Sequence, residues 1–288
     1  MIDPLFLAEA AVNGLLLGGV LALLALGLNL IFGVIDIVWI AYVDLVMICM
    51  YAVYFVVQVY GWPIWVGGLA SVALGALLGV GVHVLIISPI LTSAPVNQLL
   101  ATGGLLFFLQ SFATFLWTTD HRSVRLTLPR LELFDIPISV ARLVAFALSI
   151  LVMVGLYLFL TRTYIGTAIR AVSQDREATA LMGANPRRVY LVTSAVGGAM
   201  AGVAAALLII QYAVHPFFGA AFGPITFMIC VLGGLGNMVG AFVASFIMSE
   251  VIAISGVIWS TEMGYVIAFV VFIVMIFVRP GGILARRG

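Results

Sequence analysis

The sequence predicts an all-α fold, a polytopic transmembrane helix bundle of about eight or nine spans. Hydrophobic residues make up 65% of the 288 residues and charged residues only 8%, whereas soluble domains carry about a quarter charged residues. The mean hydropathy is +1.30. Because one helical span needs roughly 20 apolar residues, the length fits a single transmembrane domain, residues 1–288, and leaves no room for a separate soluble domain.

Long apolar stretches define the expected spans. A bilayer forces backbone groups to pair within their own segment, so we interpret these stretches as helices rather than strands. They run approximately over residues 10–33, 37–59, 63–87, 96–117, 138–160, 189–213, 217–235, 237–258 and 263–279.

Two places are expected to hold broken or re-entrant helices. The 33–44 region begins with Gly33 and contains two aspartates, and the 232–240 region lies in the glycine-rich run CVLGGLGNMVGA. Glycine and polar residues at membrane depth are typical of discontinuous helices in transporters.

Arginine positions predict the orientation. All 12 basic residues are arginines. Five lie within the 161–188 segment and three at the C-terminus, two regions separated by an even number of predicted spans, so both should be cytoplasmic. The loop of about 118–137, with mixed charges, should then be periplasmic. Nine spans place the N-terminus outside, and eight would invert it.

Pairs of glycines four residues apart predict close helix packing. Gly75 with Gly79 and Gly198 with Gly202 are two such pairs, and this spacing lets a neighbouring backbone approach. Cys49 and Cys230 lie in apolar runs, where we expect buried thiols rather than a disulfide or a metal site.

Several kinds of chemistry are excluded. A P-loop requires a lysine, and the chain has none. The GGLGNMVG run has the wrong spacing for a dinucleotide loop. His83, His121 and His215 are expected to be isolated, and Asp36 with Asp44 lacks partners for catalysis. We therefore expect no catalytic residues, no metal and no cofactor.

The segment RAVSQDREATALMGANPRR, residues 170–188, is unusually polar for this chain. Ser173 or Asp175 can cap a short helix, which Gly183 and Pro186 can end. A helix of about two turns is too short to be stable alone, so something should pack against it. A solvated connector that only obeys the positive-inside rule is the alternative.

The EATALMG sequence, Glu177–Gly183, resembles the E-A-A-x-x-x-G core of the coupling helix in ABC importer permeases. Four further segments extend this similarity over nearly the whole chain. The sequence thus resembles LivH-type permeases of branched-chain amino-acid ABC importers. The four segments are GLLLGGVLALLALGLNLIFGVIDIV, ATGGLLFFLQSFATFLW, VLGGLGNMVGAF and AFVVFIVMIFVRPGGIL.

This resemblance implies a multi-pass subunit of the bacterial inner membrane. Its implied partners are a second homologous permease, two cytoplasmic ATP-binding subunits and a periplasmic substrate-binding protein. ATP hydrolysis would belong to the partners. The implied coupling residues are Arg170, Asp175, Arg176, Glu177, Ala178, Leu181, Met182 and Gly183, and the implied structural glycines are Gly233, Gly234, Gly236 and Gly240.

The chain departs from the family pattern after Gly33. Trp39, Tyr42 and Val43 stand where Asn, His and Gly are usual. The resemblance implies a branched-chain or related amino acid as the substrate, and these departures leave urea, amides or aromatic acids as alternatives.

A polar solute needs a path through the bundle, because a central charge costs at least about 2.5–3.5 kcal/mol. We expect the binding protein to supply recognition and this chain to supply half of a mostly apolar path. The candidate polar residues of the path are Asn29, Tyr42, Asp44, Gln110 and Gln211. The competing hypothesis is a secondary transporter in which Asp44 or Glu250 carries an ion.

Overall fold

A computed structural model describes residues 4–124, 130–133, 136–279 and 281–283. Within them, twelve helices and one two-stranded hairpin follow each other along the chain. The helices are α1 (Pro4–Ile35), α2 (Tyr42–Tyr54), α3 (Ile64–Val82), α4 (Ser88–Ile90), α5 (Pro95–Trp117), α6 (Val140–Arg162), α7 (Tyr164–Gln174), α8 (Arg176–Leu181), α9 (Pro186–Leu208), α10 (Phe218–Gly233), α11 (Met238–Ile258) and α12 (Thr261–Val278). One π-helical turn, Phe55–Val59, extends α2, and another, His83–Ile87, joins α3 to α4.

The predicted helix bundle is confirmed. Eight helices among the described residues are long and apolar enough to cross a membrane, and α10 is a ninth apolar helix of only 16 residues. The predicted interruptions are also confirmed, because residues 36–41 separate α1 from α2 and residues 234–237 separate α10 from α11.

One local expectation was wrong, because the apolar stretch 189–213 leaves the helix after Leu208. The stretch 37–59 becomes helical only at Tyr42, after the predicted interruption. At the end of the predicted loop 118–137, β1 (Arg130–Leu133) pairs with β2 (Ile136–Ser139) in an antiparallel hairpin. Apolar composition cannot distinguish a helix from an extended segment that is buried by its neighbours.

Helix α1 lies at the centre of the bundle, with 83% of its most apolar window buried, whereas only 11% of the α12 window is buried. The most extensive helix contacts are α3 with α9 and α1 with α11. In addition, α1 contacts α9 and α2 contacts α10. If α1 is exchanged with α9, α2 with α10 and α3 with α11, the same set of contacts results. This is the pattern expected of an internal repeat.

Bare glycine backbones bring α3 and α9 together. A Cβ atom at Gly198 would overlap the carbonyl oxygen of Gly75, and one at Gly79 would overlap the carbonyl oxygen of Ser194. The Ser71 hydroxyl donates a hydrogen bond to the Gly202 carbonyl at 2.7 Å. The glycine pairs predicted to mediate helix packing therefore do so at this interface.

Both cysteines are buried free thiols, as expected. Cys230 Sγ donates to the carbonyl oxygen of Ala25 at 3.2 Å, so it also helps to hold α10 against α1.

Candidate functional site

The main candidate site is a cavity of about 580 Å³ between α2, α5 and α10, bordered also by the non-helical residues 38–40. Its volume lies within the roughly 300–1,000 Å³ of small-molecule sites. Its wall is mostly apolar, with a few polar groups. The residues that matter most below are Trp39, Tyr42, Phe107, Gln110, Ala220 and Phe227.

One side of this cavity is non-helical backbone, which lies beside the middle of α5 rather than beside either of its ends. The Thr102 hydroxyl donates to the carbonyl of Val38 at 3.1 Å, and Gln110 contacts Asp44. Thr102 lies seven residues after the start of α5 and Gln110 seven residues before its end, each roughly 10 Å from that end at 1.5 Å per residue. Irregular backbone at such depth is tolerated where it lines a cavity or is buried in protein.

Asp44 and Gln110 form a buried polar pair at the cavity wall. Gln110 Nε2 donates to Asp44 Oδ1 at 2.9 Å, and Asp44 is only 1% exposed. A Cβ atom at position 219 would overlap the Asp44 carboxylate. Gly219 on α10 therefore lets the carboxylate approach, and Gln110 rather than Asp44 faces the cavity.

Tyr42 joins the cavity to α9. Its ring lines the cavity, while its buried hydroxyl donates to the carbonyl oxygen of Gly197 at 2.9 Å. Trp39 packs edge-on against Tyr42, with 5.9 Å between ring centroids, and the Trp39 indole N–H is buried without a hydrogen-bond partner among the described residues. The two aromatic residues that depart from the family pattern therefore form one wall.

The structure does not bring the other two candidate path residues to this cavity. Asn29 Nδ2 donates to the carbonyl oxygens of Gly234 and Asn237 at 3.3 and 3.0 Å, so Asn29 holds the α10–α11 turn. Gln211 lies between α9 and α10 and lines a different, polar pocket beside Arg142.

The α10–α11 turn requires its glycines. Gly234 and Gly236 have φ values of +95° and +82°, a region that favours glycine. Gly233 and Gly240 pack backbone to backbone, because a Cβ atom at either would overlap the other segment. Asn29 Oδ1 accepts a hydrogen bond from the Gly236 amide, so the turn is fixed to α1.

The second candidate site is the polar segment formed by α7 and α8. Asp175 caps α8 as predicted, because its Oδ1 accepts hydrogen bonds from the amides of Glu177 and Ala178, both at 2.9 Å. The other candidate cap, Ser173, instead donates to the carbonyl of Arg170. Gly183 has a φ of +88°, which ends the helix.

Helix α8 and its C-cap present apolar side chains that nothing in the described chain covers. Leu181 is 89% exposed and the C-cap Met182 is 88% exposed, and Ala178 on the same face is also exposed. Isolated exposed apolar residues are common, whereas here three lie together on one face of a short, capped helix.

This segment also meets both helix interruptions. A cavity of about 640 Å³ is bordered by Asp36 from the first interruption, Gly236 from the second, and Ser173 and Arg176 from the segment. Gly33 and Gly236 lie in backbone contact. The polar segment and the turns that lead into α2 and α11 therefore border one cavity.

Sequence reasoning missed a contact between His121 and His215. The expectation that all three histidines are isolated was therefore wrong. The His121 and His215 rings lie 4.6 Å apart between centroids. The segments that follow α5 and α9 bring them together through an antiparallel bridge between Arg122 and Val214. No local spacing signals a pair that is 94 residues apart in the sequence.

We expect this contact to weaken in acid. Burial and the neighbouring His121 lower the pKa of His215 from its ordinary value of 6.5. The folded structure therefore favours neutral His215, and the stability this gives is present above about pH 6.5 and is lost as the pH falls through the lowered pKa.

Hydrogen exchange of residues 118–124 and 209–217 measures this effect. Protection, corrected for intrinsic exchange, should decrease between pH 7.5 and pH 5. In a His215→Gln chain the pH-dependent part should disappear. Equal pH dependence in both chains would contradict the assignment to His215.

Comparisons with known proteins agree with this architecture. The family described as branched-chain amino acid transport system / permease component matches residues 10–276. The high-affinity branched-chain amino acid transport system permease protein LivH of Escherichia coli (strain K12) is 29% identical over 301 residues, which cover 98% of this chain and 96% of that protein. BraD of Pseudomonas aeruginosa, with the same description, is 29% identical over 297 residues, covering 96% and 95%.

A more distant relative matches a shorter region. The probable branched-chain amino acid transport permease protein LivH of Methanocaldococcus jannaschii is 32% identical over 99 residues, 34% of this chain and 31% of that protein. No solved structure matches the chain.

Proposed function

The chain belongs to the family of branched-chain amino acid transport system permease components, and from this premise we propose that it is the membrane-spanning permease subunit of a bacterial ABC importer. In this proposal it forms half of the translocation path and resides in the inner membrane. A second homologous permease supplies the other half. Two cytoplasmic subunits hydrolyse ATP, and a periplasmic binding protein delivers the substrate.

The observation that carries this proposal is the uncovered apolar face of α8. Leu181 and Met182 are almost fully exposed on a helix that Asp175 fixes in place. A secondary transporter that works alone has no need of such a surface, whereas a permease driven by a separate ATPase requires one. The coupling residues proposed are Arg170, Asp175, Arg176, Glu177, Ala178, Leu181, Met182 and Gly183.

The cavity between α2, α5 and α10 is the proposed substrate path. It lies where the two repeated units meet through α2 and α10, the position at which transporters with internal repeats bind their substrates. Its apolar wall suits the side chain of a branched-chain amino acid, and the Gln110 amide offers a polar contact. Asp44 acts through Gln110 by fixing its orientation.

The aromatic wall bears on the choice of substrate. Trp39 and Tyr42 replace smaller or more polar residues of the family pattern and narrow this side of the cavity. Leucine, isoleucine and valine are the proposed substrates, and aromatic acids, urea and short amides are the alternatives. A transport assay in which these compounds compete directly with leucine for uptake distinguishes them.

Filling the cavity tests the path. We expect Ala220→Phe to reduce ATP-dependent uptake at least tenfold in vesicles that contain all the importer components, because Ala220 lines the cavity and the added ring occupies it. Uptake of labelled leucine is the measurement. The control is Ala147→Phe, which adds the same ring at an exposed position of α6 and should leave uptake unchanged.

Two outcomes would contradict the proposal. Equal uptake by the Ala220→Phe and Ala147→Phe complexes, with partner subunits retained in both, would exclude this cavity as the path. Uptake driven by an ion gradient in vesicles that contain this chain alone would identify a secondary transporter instead.

A further inference from the structure

We propose that the groove between the α3–α4 end and the start of α9 binds the headgroup of an anionic phospholipid from the cytoplasmic leaflet. This groove, here called the basic groove, has a volume of about 820 Å³. It is separate from the substrate cavity and from the exposed face of α8. The six residues on which the argument depends are Ser88, Thr92, Arg176, Arg187, Tyr190 and Val84.

The polar end of the basic groove is built to hold an anion. The exposed side chains of Arg176 and Arg187 both line it, together with the hydroxyl residues Ser88 and Thr92. No described acidic residue lines it. Arginine with hydroxyl groups is the usual donor set for phosphate, because the guanidinium donates in a planar fork that matches phosphate oxygens.

A buried aromatic residue fixes one of the two arginines. The Arg176 guanidinium lies 5.2 Å from the centroid of the Tyr190 ring, and Tyr190 is only 4% exposed. The Tyr190 hydroxyl is buried and interacts with the same guanidinium. The groove therefore offers a cation held in position, which is unlike a freely solvated arginine.

The other end of the groove continues onto a lipid-facing surface. Val84 and Leu91 line it. Leu85, in the π-helical turn that follows α3, is 76% exposed, and only 28% of the most apolar window of the span Ile64–Ile90 is buried. A ligand with a phosphate group and an acyl chain therefore satisfies both ends. A soluble phosphate compound would leave the apolar end unfilled.

The position within the membrane selects the lipid. The basic groove lies at the face that carries the arginine-rich 161–188 segment, which the positive-inside rule assigns to the cytoplasm. Anionic lipids of that leaflet attract basic pockets between transmembrane helices. Because Arg176 begins α8, bound lipid would also restrain the helix that is proposed to meet the ATPase.

Lipid binding by the purified full-length chain tests this site. Dioleoyl-phosphatidylglycerol and dioleoyl-phosphatidylcholine, added to the chain in detergent, are compared by native mass spectrometry. We expect the anionic lipid to bind more tightly, and Arg187→Gln to weaken its binding about fivefold. Changing Arg176 and Arg187 together should weaken it about thirtyfold.

The matched control is Arg162→Gln, which removes an exposed arginine near the same face, in the last turn of α6, but outside the basic groove. It should leave the lipid affinity unchanged. Equal affinities for the two lipids, or equal losses in the Arg162→Gln and Arg187→Gln chains, would contradict the proposal. These affinities are measured on the isolated chain, without transport or partner subunits, so they are independent of the proposed function.

Two further experiments distinguish the lipid from other occupants of the groove, a soluble phosphate compound and the ATPase subunit. Glycerol 3-phosphate carries the same phosphate without acyl chains and should not displace the lipid at equal concentration. Displacement would assign the site to a soluble phosphate compound and overturn the proposal. Release of the lipid when the ATPase subunits bind would assign the groove to the protein interface and would also overturn it.

Discussion

Gly198→Leu is expected to abolish a folded, monodisperse protein. Position 198 lies where α9 meets the backbone of α3, and even a Cβ atom there would overlap the carbonyl oxygen of Gly75. The obstacle is backbone rather than a flexible side chain, so α3 and α9 must separate along their length. Overpacking usually costs about 1–3 kcal/mol, and separating one of the two most extensive helix interfaces should exceed that range.

Size-exclusion chromatography of the solubilised chain and its thermal unfolding midpoint measure this effect. The control is Gly81→Leu, on α3 itself, where a Cβ atom meets nothing within 4 Å. Since leucine favours a helix over glycine by up to about 1 kcal/mol, the control should be neutral or more stable. If both variants elute and unfold like the unaltered chain, the glycine contacts do not hold α3 against α9.

This interface illustrates how far the sequence leads. The continuous apolar stretches predict the long apolar helices because a bilayer leaves few alternatives, and glycine spacing predicts which faces approach closely. Neither pattern predicts which helices pair. Gly75 and Gly198 meet across 123 residues of sequence, and no local pattern encodes that distance.

The candidate site is less predictable than the fold. Asp44 and Gln110 are polar residues in apolar spans, so both are visible in the sequence, and the structure pairs them. Gly219 and Ala220 complete the cavity with no chemical signal at all. Asn29 attracts attention for the same reason as Gln110, yet its amide holds a turn more than 200 residues away.

The α8 region is the opposite case, because its local chemistry is sufficient. Asp175 accepts hydrogen bonds from the first amide groups of α8 and thereby caps the helix, and Gly183 ends it, both as expected. The direction in which Leu181 points depends on how α7 and α8 pack. Only the structure shows that this side chain is exposed.

Leu181→Glu combined with Met182→Glu is expected to abolish ATP-dependent uptake while the chain remains folded. Both side chains are almost fully exposed, so in the isolated chain their replacement removes no packing. In a complex with the ATPase subunit each should bury its apolar surface, worth about 1.5–3 kcal/mol per side chain. The combined loss of up to about 6 kcal/mol corresponds to several orders of magnitude in affinity.

Co-purification of the ATPase subunit with the permease measures docking, and leucine uptake in vesicles measures coupling. We expect both to be lost, whereas the thermal unfolding midpoint of the chain alone should not change. Replacing Glu177, or placing a β-branched residue at Gly183 where φ is +88°, should likewise uncouple uptake from ATP hydrolysis without preventing insertion.

The matched control is Ala180→Glu, which adds a carboxylate to an exposed position of the same helix. At 100° per residue, position 180 lies on the side of α8 opposite the face formed by residues 178, 181 and 182. A general effect of negative charge should act on Ala180→Glu as strongly as on the double variant, whereas a docking face should distinguish them. Normal uptake by the double variant would show that the ATPase does not drive this permease through α8, and equal loss in the control would show that the exposed apolar face is not what it contacts.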